Sequence, residues 1–284
     1  MAPLDLQCLA ELQVSAASAL VWHAGVLMLV ADDDVSLHCY NLDGQLLAQH
    51  VLLDEQLPQD PLARKAVKPD FEMLCQLPGG GLLALGSGST DRRRRGVLWH
   101  PGRARPIDLA PLYLALEQQL PQLNLEGAVV QGSRLWLAQR GNAENSGSAL
   151  IGLDLPTVMA QLEHARLGPE CLCEIMPLQL GQVGSVPLTL TDLCLDLHGR
   201  LLFCAAAEDT ASTYADGPCL GSAVGWLEDG RVLALWPLAG NTKIEGICVV
   251  GDGSLYLVND PDDAAARSCL YRLCLPDLQA CFSL

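Results

Sequence analysis

The chain has 284 residues, half of them apolar and 18% charged, which describes a globular chain with a large core and excludes a disordered one. Thirty-three acidic side chains against 17 basic ones give a formal charge of −16. That balance excludes a nucleic-acid partner, whose phosphates need a basic face, and docking on an anionic membrane.

The first twelve residues lack the basic and apolar regions of a secretory signal, and no apolar run reaches 18 residues without Gly, Pro or a charge. No membrane span is expected, and the protein is expected in the cytoplasm. Leu4–Leu12 reads as one strand. A first unit follows, from Ser18 through Val26–Ala31, Ser36–Leu42 and Leu46–Leu53. A second runs from Glu72 through Leu82–Leu85, Gly96–His100 and Pro106–Leu109. Leu109–Leu120 carries a helical signal. The third unit starts at Glu126 and continues through Leu135–Ala138, Ala149–Leu155 and Cys171–Leu178, interrupted by an amphipathic helix over Pro156–Leu167. The fourth starts at Asp192, with Leu201–Ala205, Ser222–Leu227 and Val232–Leu238. The fifth starts at Glu245, with Leu255–Val258 and Cys269–Leu273.

Each unit opens on a polar residue, a short apolar run and a Gly- or Asp-bearing turn, at Ser18, Glu72, Glu126, Asp192 and Glu245. These positions are 54, 54, 66 and 53 residues apart. The long interval is explained by the inserted helix. Up-and-down units of four short strands at a near-constant interval predict an all-β, five-bladed β-propeller of four-stranded blades, with short helical insertions, as one domain over residues 1–284. A β-sandwich explains the strands but not the interval. The fifth unit lacks an outer strand. Residues 4–12 are expected to supply it and close the ring, removing an open edge; Leu278–Leu284 competes for the same place.

In such a blade the loop after the second strand opens on the face where the first strand begins. The mouth of the central channel should therefore gather Ser18, Glu72, Glu126, Asp192 and Glu245 with the loops carrying Ser87, Ser89, Arg94, Arg95, Arg140, Asn142 and Asp260. Two unit charges about 6 Å apart repel by roughly 3 kcal/mol at an effective dielectric of about 20. Four carboxylates on one ring thus need an offset. The sequence leaves four open: a hard divalent cation such as Ca²⁺ held by Glu72, Glu126, Asp192 and Glu245; pairing with Arg140 and one or two of Arg92–Arg95; protonation; or backbone N–H donors that staple neighbouring blades. The Ser87–Ser89 loop ahead of four arginines suits an anion.

The twelve cysteines mostly lie in apolar strand-like runs and read as buried thiols. Neither Cys171 and Cys173 nor the six histidines have zinc-site spacing. No nucleophile elbow is present: Gly86-Ser-Gly-Ser89 is not followed by a helix.

An acidic residue before Gly at the start of an inner strand, in Leu125-Glu-Gly127 and Ile244-Glu-Gly246, resembles the bacterial propellers related to the esterase-like phytase family and to SdiA-regulated proteins. With Asp70-Phe-Glu72, Gly86-Ser-Gly-Ser89, Asn124-Leu-Glu-Gly127 and Gln139-Arg-Gly-Asn142, the chain looks closer still to an uncharacterised branch of that group, over about residues 10–275. The resemblance implies a propeller with a polar central site and ester or phosphoester hydrolysis with calcium. Ser18 and Asp192 depart from its Glu, and Asp192 precedes Leu rather than Gly. Two functions follow as expectations: binding of a small polar or anionic molecule at the mouth, with metal-assisted hydrolysis as its enzymatic form, or a non-enzymatic propeller that binds a protein partner and keeps its carboxylate ring for structure.

Overall fold

A computed structural model describes residues 2–141, 147–209 and 217–275. These residues form five four-stranded antiparallel sheets, each ordered from the axis outward. Blade 1 is Ala17–His23, Val26–Ala31, Ser36–Tyr40 and Leu46–Val51. Blade 2 is Phe71–Gln76, Leu82–Gly86, Arg95–His100 and Arg103–Asp108. Blade 3 is Leu125–Gln131, Arg134–Gln139, Ala149–Asp154 and Leu172–Pro177. Blade 4 is Thr189–Leu195, Leu201–Glu208, Cys219–Glu228 and Arg231–Pro237. Blade 5 is Ile244–Val249, Leu255–Asn259 and Cys269–Leu273, completed by Gln7–Glu11. The five-bladed propeller expected from the sequence is the fold.

The ring closes through the N-terminal segment. Gln7–Glu11 pairs antiparallel with Cys269–Leu273, Cys8 opposite Tyr271 and Glu11 opposite Cys269. Just before it, Leu4 bridges to Leu238 at the outer end of blade 4, exchanging backbone hydrogen bonds of 2.8 Å with Pro237 and Ala239. The competing segment Leu278–Leu284 lies outside the described residues.

Five apolar clusters fill the five wedges between blades. Period-two alternation sends successive side chains of an inner strand to opposite neighbours: Leu74 packs toward blade 1 and Cys75 toward blade 3. The outermost strand of blade 1, Leu46–Val51, alternates half-buried and exposed residues, as a half-solvated edge should.

Among the described residues three α-helices interrupt the strands. α1 (Pro61–Val67) starts on an Asp60 cap that accepts from Ala63 N at 2.8 Å, with Pro at the first helical position. α2 (Ala110–Glu117) and α3 (Leu155–Glu163) match the two helical signals, and both enter the cluster between blades 2 and 3 rather than covering a face of the ring. No helix among the described residues is long and apolar enough to cross a membrane.

One irregularity repeats in every blade. Each inner strand carries a β-bulge at its start, and the residue in it is Ser18, Glu72, Glu126, Thr191 or Glu245. A bulge leaves its residue unpaired and re-aims its side chain. Four of the five residues line a cavity on the axis: Ser18, Glu72, Glu126 and Glu245. The spacing of these five is 54, 54, 65 and 54 residues, so the repeat is regular apart from the one insertion.

Candidate functional site

The cavity opens at the face where the inner strands begin and encloses 210 Å³. That is below the roughly 300–1,000 Å³ of a drug-sized pocket, so it suits a small molecule or the tip of a larger one. Three tiers build it. The bulge residues form the floor. Two residues earlier, at or just before the start of each inner strand, stand Ala16, Asp70, Asn124, Thr189 and Lys243, which also line it. The loops after the second strands contribute Asp32, Asp33, Arg93, Arg140, Asp260 and Asp262, joined by Glu208 from a strand end and by Arg64 and Lys68 from α1 and its C-terminal cap.

On the side of blades 1 and 2, Lys68 Nζ pairs with Asp32 and, at 2.9 Å, with Asp70 Oδ1. Arg93 Nη1 meets Asp70 Oδ2 at 2.8 Å, and Arg64 meets Asp33 at 2.8 Å. Asp70 also accepts from the Ser87 hydroxyl and holds a left-handed backbone, φ +59°, uncommon outside glycine. Oxygens of Asp32, Asp70 and Glu72 lie within 4.8 Å of one another.

On the side of blades 3, 4 and 5, Arg140 Nη1 donates to both oxygens of Glu126 at 2.8 Å and approaches Glu245 at 3.6 Å, while Nη2 lies 2.8 Å from Glu208. Asn124 Nδ2 donates to Glu126 at 2.6 Å. Lys243 Nζ lies 3.0 Å from Glu208, 3.1 Å from Glu245 and 2.8 Å from Asp262. The oxygens it meets, Glu208 Oε1 and Glu245 Oε1, are both shielded from water. Lys243 is thus the cation that both buried carboxylates share.

Burial and crowding set the protonation. Glu72 is pushed well above the usual carboxylate range by burial and by the charges of Asp70, Asp32 and Glu126. Burial raises Glu126 to about 8 against the pull of Arg140, and Asp260 to about 8 against Lys243. Glu245 and Asp32 are raised for the same first reason, opposed by Lys243 and Lys68 respectively. Burial works against the charged forms of Lys68, Arg140 and Lys243, but the carboxylates around them outweigh it and hold all three protonated. Several carboxyls in this cavity can therefore give or take a proton near neutral pH.

The ring expected from the sequence needs one correction. Asp192 sits one residue past its bulge, so Thr191 holds the fourth-blade position and Asp192 does not line the cavity. Thr191 turns away and donates to Ile244 O at 2.7 Å. Asp192 is buried on the axis, where it accepts from Leu193 N at 2.8 Å and from Ile247 N of blade 5 at 2.9 Å. Burial pushes its carboxyl well up, opposed by those amides and by that of Leu20 in blade 1. It is a staple between blades. Glu72, Glu126, Asp192 and Glu245 consequently do not form one set of metal ligands: among the described residues the close oxygen triad is Asp32, Asp70 and Glu72.

Of the other residues expected at the mouth, Arg140 and Asp260 line the cavity. Arg94 instead pairs with Asp91 and Glu117, and Arg95 with Glu55. The 3₁₀ turn Asp91–Arg93 aims Arg93 alone of the run inward. Ser87 is fully buried beneath Asp70, and Ser89 accepts from Arg93 Nη1 at 2.8 Å, so this loop supports the cavity rather than lining it. Asn142 lies outside the described residues. Lys68, Asp70 and Lys243 were not foreseen as site residues. Their signal is in the repeat itself, two to four residues ahead of the bulge position.

The class is thus a five-bladed β-propeller with a charged cavity on its axis. The chain belongs to the family of unknown function DUF6929, whose model matches residues 13–275. No protein of curated function matches it in sequence. Among solved structures it is similar to the glutaminyl cyclase of Myxococcus xanthus, at 12% identity over 96% of this chain and 98% of that one, TM-score 0.53. A gluconolactonase from Xanthomonas campestris aligns at 14% identity over 95% and 89%, TM-score 0.46. A streptogramin B lyase aligns at 11% over 94% and 96%, TM-score 0.44. At these identities the likeness is one of fold.

Proposed function

We propose that the axial cavity binds a small polar molecule and performs acid–base chemistry on it. The observation that carries this is the pairing of protonatable carboxyls with fixed cations in one enclosed space: Glu126, raised to about 8, lies under Arg140, and Glu72 lies beside Lys68 and Asp70. A general acid or base works best with a pKa near the working pH, and a fixed guanidinium steadies developing negative charge. Hydrolysis of an ester or phosphoester is the reaction that the Glu-Gly motifs' likeness to the esterase-like phytase and SdiA-regulated propellers suggests. The Myxococcus neighbour, a glutaminyl cyclase, adds glutaminyl compounds to the substrates worth screening.

Calcium at Asp32, Asp70 and Glu72 is the metal form of this reading. Three close carboxylate oxygens are a donor set for a hard cation. The ammonium of Lys68 already neutralises two of them, however, so a divalent ion has to displace it. The non-enzymatic alternative, with carboxylates kept for structure, is supported at Asp192, whose oxygens are taken up by backbone amides.

The test is a screen of esters, phosphoesters, lactones and glutaminyl compounds, with and without CaCl2 or EDTA. Turnover that falls at least about 100-fold in Glu72→Gln or Glu126→Gln, both checked as folded, is expected. Turnover untouched by both substitutions would remove these carboxyls from the chemistry.

A further inference from the structure

The connection between blades 1 and 2 is fixed at its two ends and weakly held between them. Leu52 and Leu53 donate to Val35 O at 2.8 and 3.2 Å. At the far end Lys68, Pro69 and Asp70 are buried, with Lys68 paired to Asp32 and Asp70. Residues 54–67, between these anchors, include no buried residue, and none of them enters the five apolar clusters. α1 lies in this stretch, with its Leu62 81% exposed, whereas α2 and α3 bury three residues each. Charged groups tie the stretch to the blades instead. Arg64 meets Asp33 at 2.8 Å, Glu55 meets Arg95 at 2.7 Å, and Lys65 O accepts from Arg93 Nη2 at 3.4 Å.

The place of this helix gives the weak attachment a consequence. Pro61, Arg64, Lys65 and Lys68 form one wall of the axial cavity. Beyond that wall is a second cavity of 490 Å³, bounded by residues 57–59, 13–15 and 264–267. Its volume lies inside the roughly 300–1,000 Å³ of a drug-sized pocket, which the axial cavity falls short of. Ser15, Asp33, Arg64 and Ala264 face both cavities, so the Arg64–Asp33 ion pair stands in the partition. We propose that residues 54–67 are a lid on the axial cavity, latched by Arg64 on Asp33, whose release joins the two cavities into one site for a ligand longer than the axial cavity holds. That ligand belongs to the site proposed above; the motion itself needs none. An isolated helix of seven residues is marginal in water, so α1 melts as the latch opens and its amides then exchange with solvent.

The experiment is hydrogen exchange of the full chain, read by mass spectrometry on peptic fragments, in 0.1 and 1 M NaCl, where the screening length falls from about 10 to about 3 Å. Exchange across α1 is expected to exceed that of the inner strands and to rise at least about threefold between the two salt concentrations, while the inner strands stay unchanged. Asp33→Asn and Arg64→Met should each reach the high-salt rate at 0.1 M NaCl, although they alter the charge in opposite directions. Arg272→Gln, whose side chain pairs with Asp252 on blade 5, should leave α1 as it is. Access to the cavity is read separately, by labelling Glu126 with a water-soluble carbodiimide and glycinamide at pH 6; the rate should rise at least about threefold in both latch variants. Amides of α1 as protected as the inner strands, or indifferent to salt and to both variants, overturn the latch. Faster exchange in α1 with unchanged labelling of Glu126 describes a loose helix that covers nothing, and overturns the lid. Neither readout involves turnover, so a failed substrate screen and a failed lid are separate results.

Discussion

Replacing Lys243 with Met keeps its bulk and removes the charge that Glu208 and Glu245 share at 3.0 and 3.1 Å. Lys243 is 7% exposed and both glutamates are under 9%, so water does not take its place. Removing one partner of a buried ion pair costs about 3–5 kcal/mol. The cavity limits that cost, because a stranded carboxylate can take up a proton. From the ordinary glutamate value of 4.5, protonation costs about 4.8 kcal/mol at pH 8 but only about 0.7 kcal/mol at pH 5, at 1.36 kcal/mol per pH unit. The sign follows from linkage. Without Lys243 the native carboxyl pKa rises further above its unfolded value, so the native state binds more protons than the unfolded state and gains stability as pH falls. Lys243→Met is therefore expected to destabilise by about 3–5 kcal/mol at pH 8 and by about 1 kcal/mol at pH 5. Urea unfolding of both proteins at both values measures it. Equal costs at the two pH values would refute the account, as would a cost below about 1 kcal/mol at pH 8.

Other outcomes follow from the same geometry. The intact protein should lose stability between about pH 5 and 8, because Glu126 and Asp260 hold protons up to about 8 in the native state and release them near pH 4 when unfolded; a melting temperature that rises over that range counts against it. Gly127→Ala would bring a methyl to 2.9 Å from Asp192 Cα and 3.0 Å from its carbonyl carbon, and should cost about 1–3 kcal/mol in urea unfolding; an unchanged midpoint would mean the inner strands are looser than described. Asp192→Asn sets an amide N–H against the N–H of Ile247 or Leu193, at about 2 kcal/mol, and a neutral result in the same assay would remove the staple. Arg93→Ala should weaken any cavity ligand while Arg95→Ala, which loses only its pairing with Glu55, should not; equal effects in calorimetry would contradict the inward aim of Arg93 alone.

The architecture was legible because propeller blades repeat, and repetition survives weak similarity. Hydrophobic period, turn residues and interval located five inner strands and the closing segment. The error at blade 4 shows the limit. An acidic side chain at 192 attracted the assignment, yet stepping back 54 residues from Glu245 lands on Thr191. Register outranks residue type here: a one-residue slip at a bulge decides whether a carboxylate faces the cavity or the next blade's amides. Register also explains what was missed. Asp70, Asn124 and Lys243 stand two residues ahead of Glu72, Glu126 and Glu245, just before each inner strand, and line the same cavity. The choice of Arg93 over Arg94 and Arg95 was not legible, since a short 3₁₀ turn sets it. Nor was α1, although Asp60-Pro61 is a capped helix start.

The two ends of the axis differ, and the difference bears on how the cavity works. At the polar end the inner strands bring Glu72, Glu126 and Glu245 together. Three residues further along each strand the matching positions are Val21, Cys75, Val129, Cys194 and Cys248, which line a separate apolar depression at the opposite mouth. Between the two lies Asp192, buried and bonded to the amides of two blades. The Cα of Asp192 comes so close to blade 3 that Gly127 has no room for a side chain. At this level the third and fourth inner strands are therefore packed backbone against backbone. Burial among these packed strands is the first cause that raises Glu126 and Glu72. One tight contact between the third and fourth inner strands thus joins the stability of the ring to the protonation of its site. Forcing it apart with the methyl of Gly127→Ala should lower the pKa of Glu126 as well as the melting temperature, and a carboxyl titration that leaves Glu126 near 8 in that variant would separate the two.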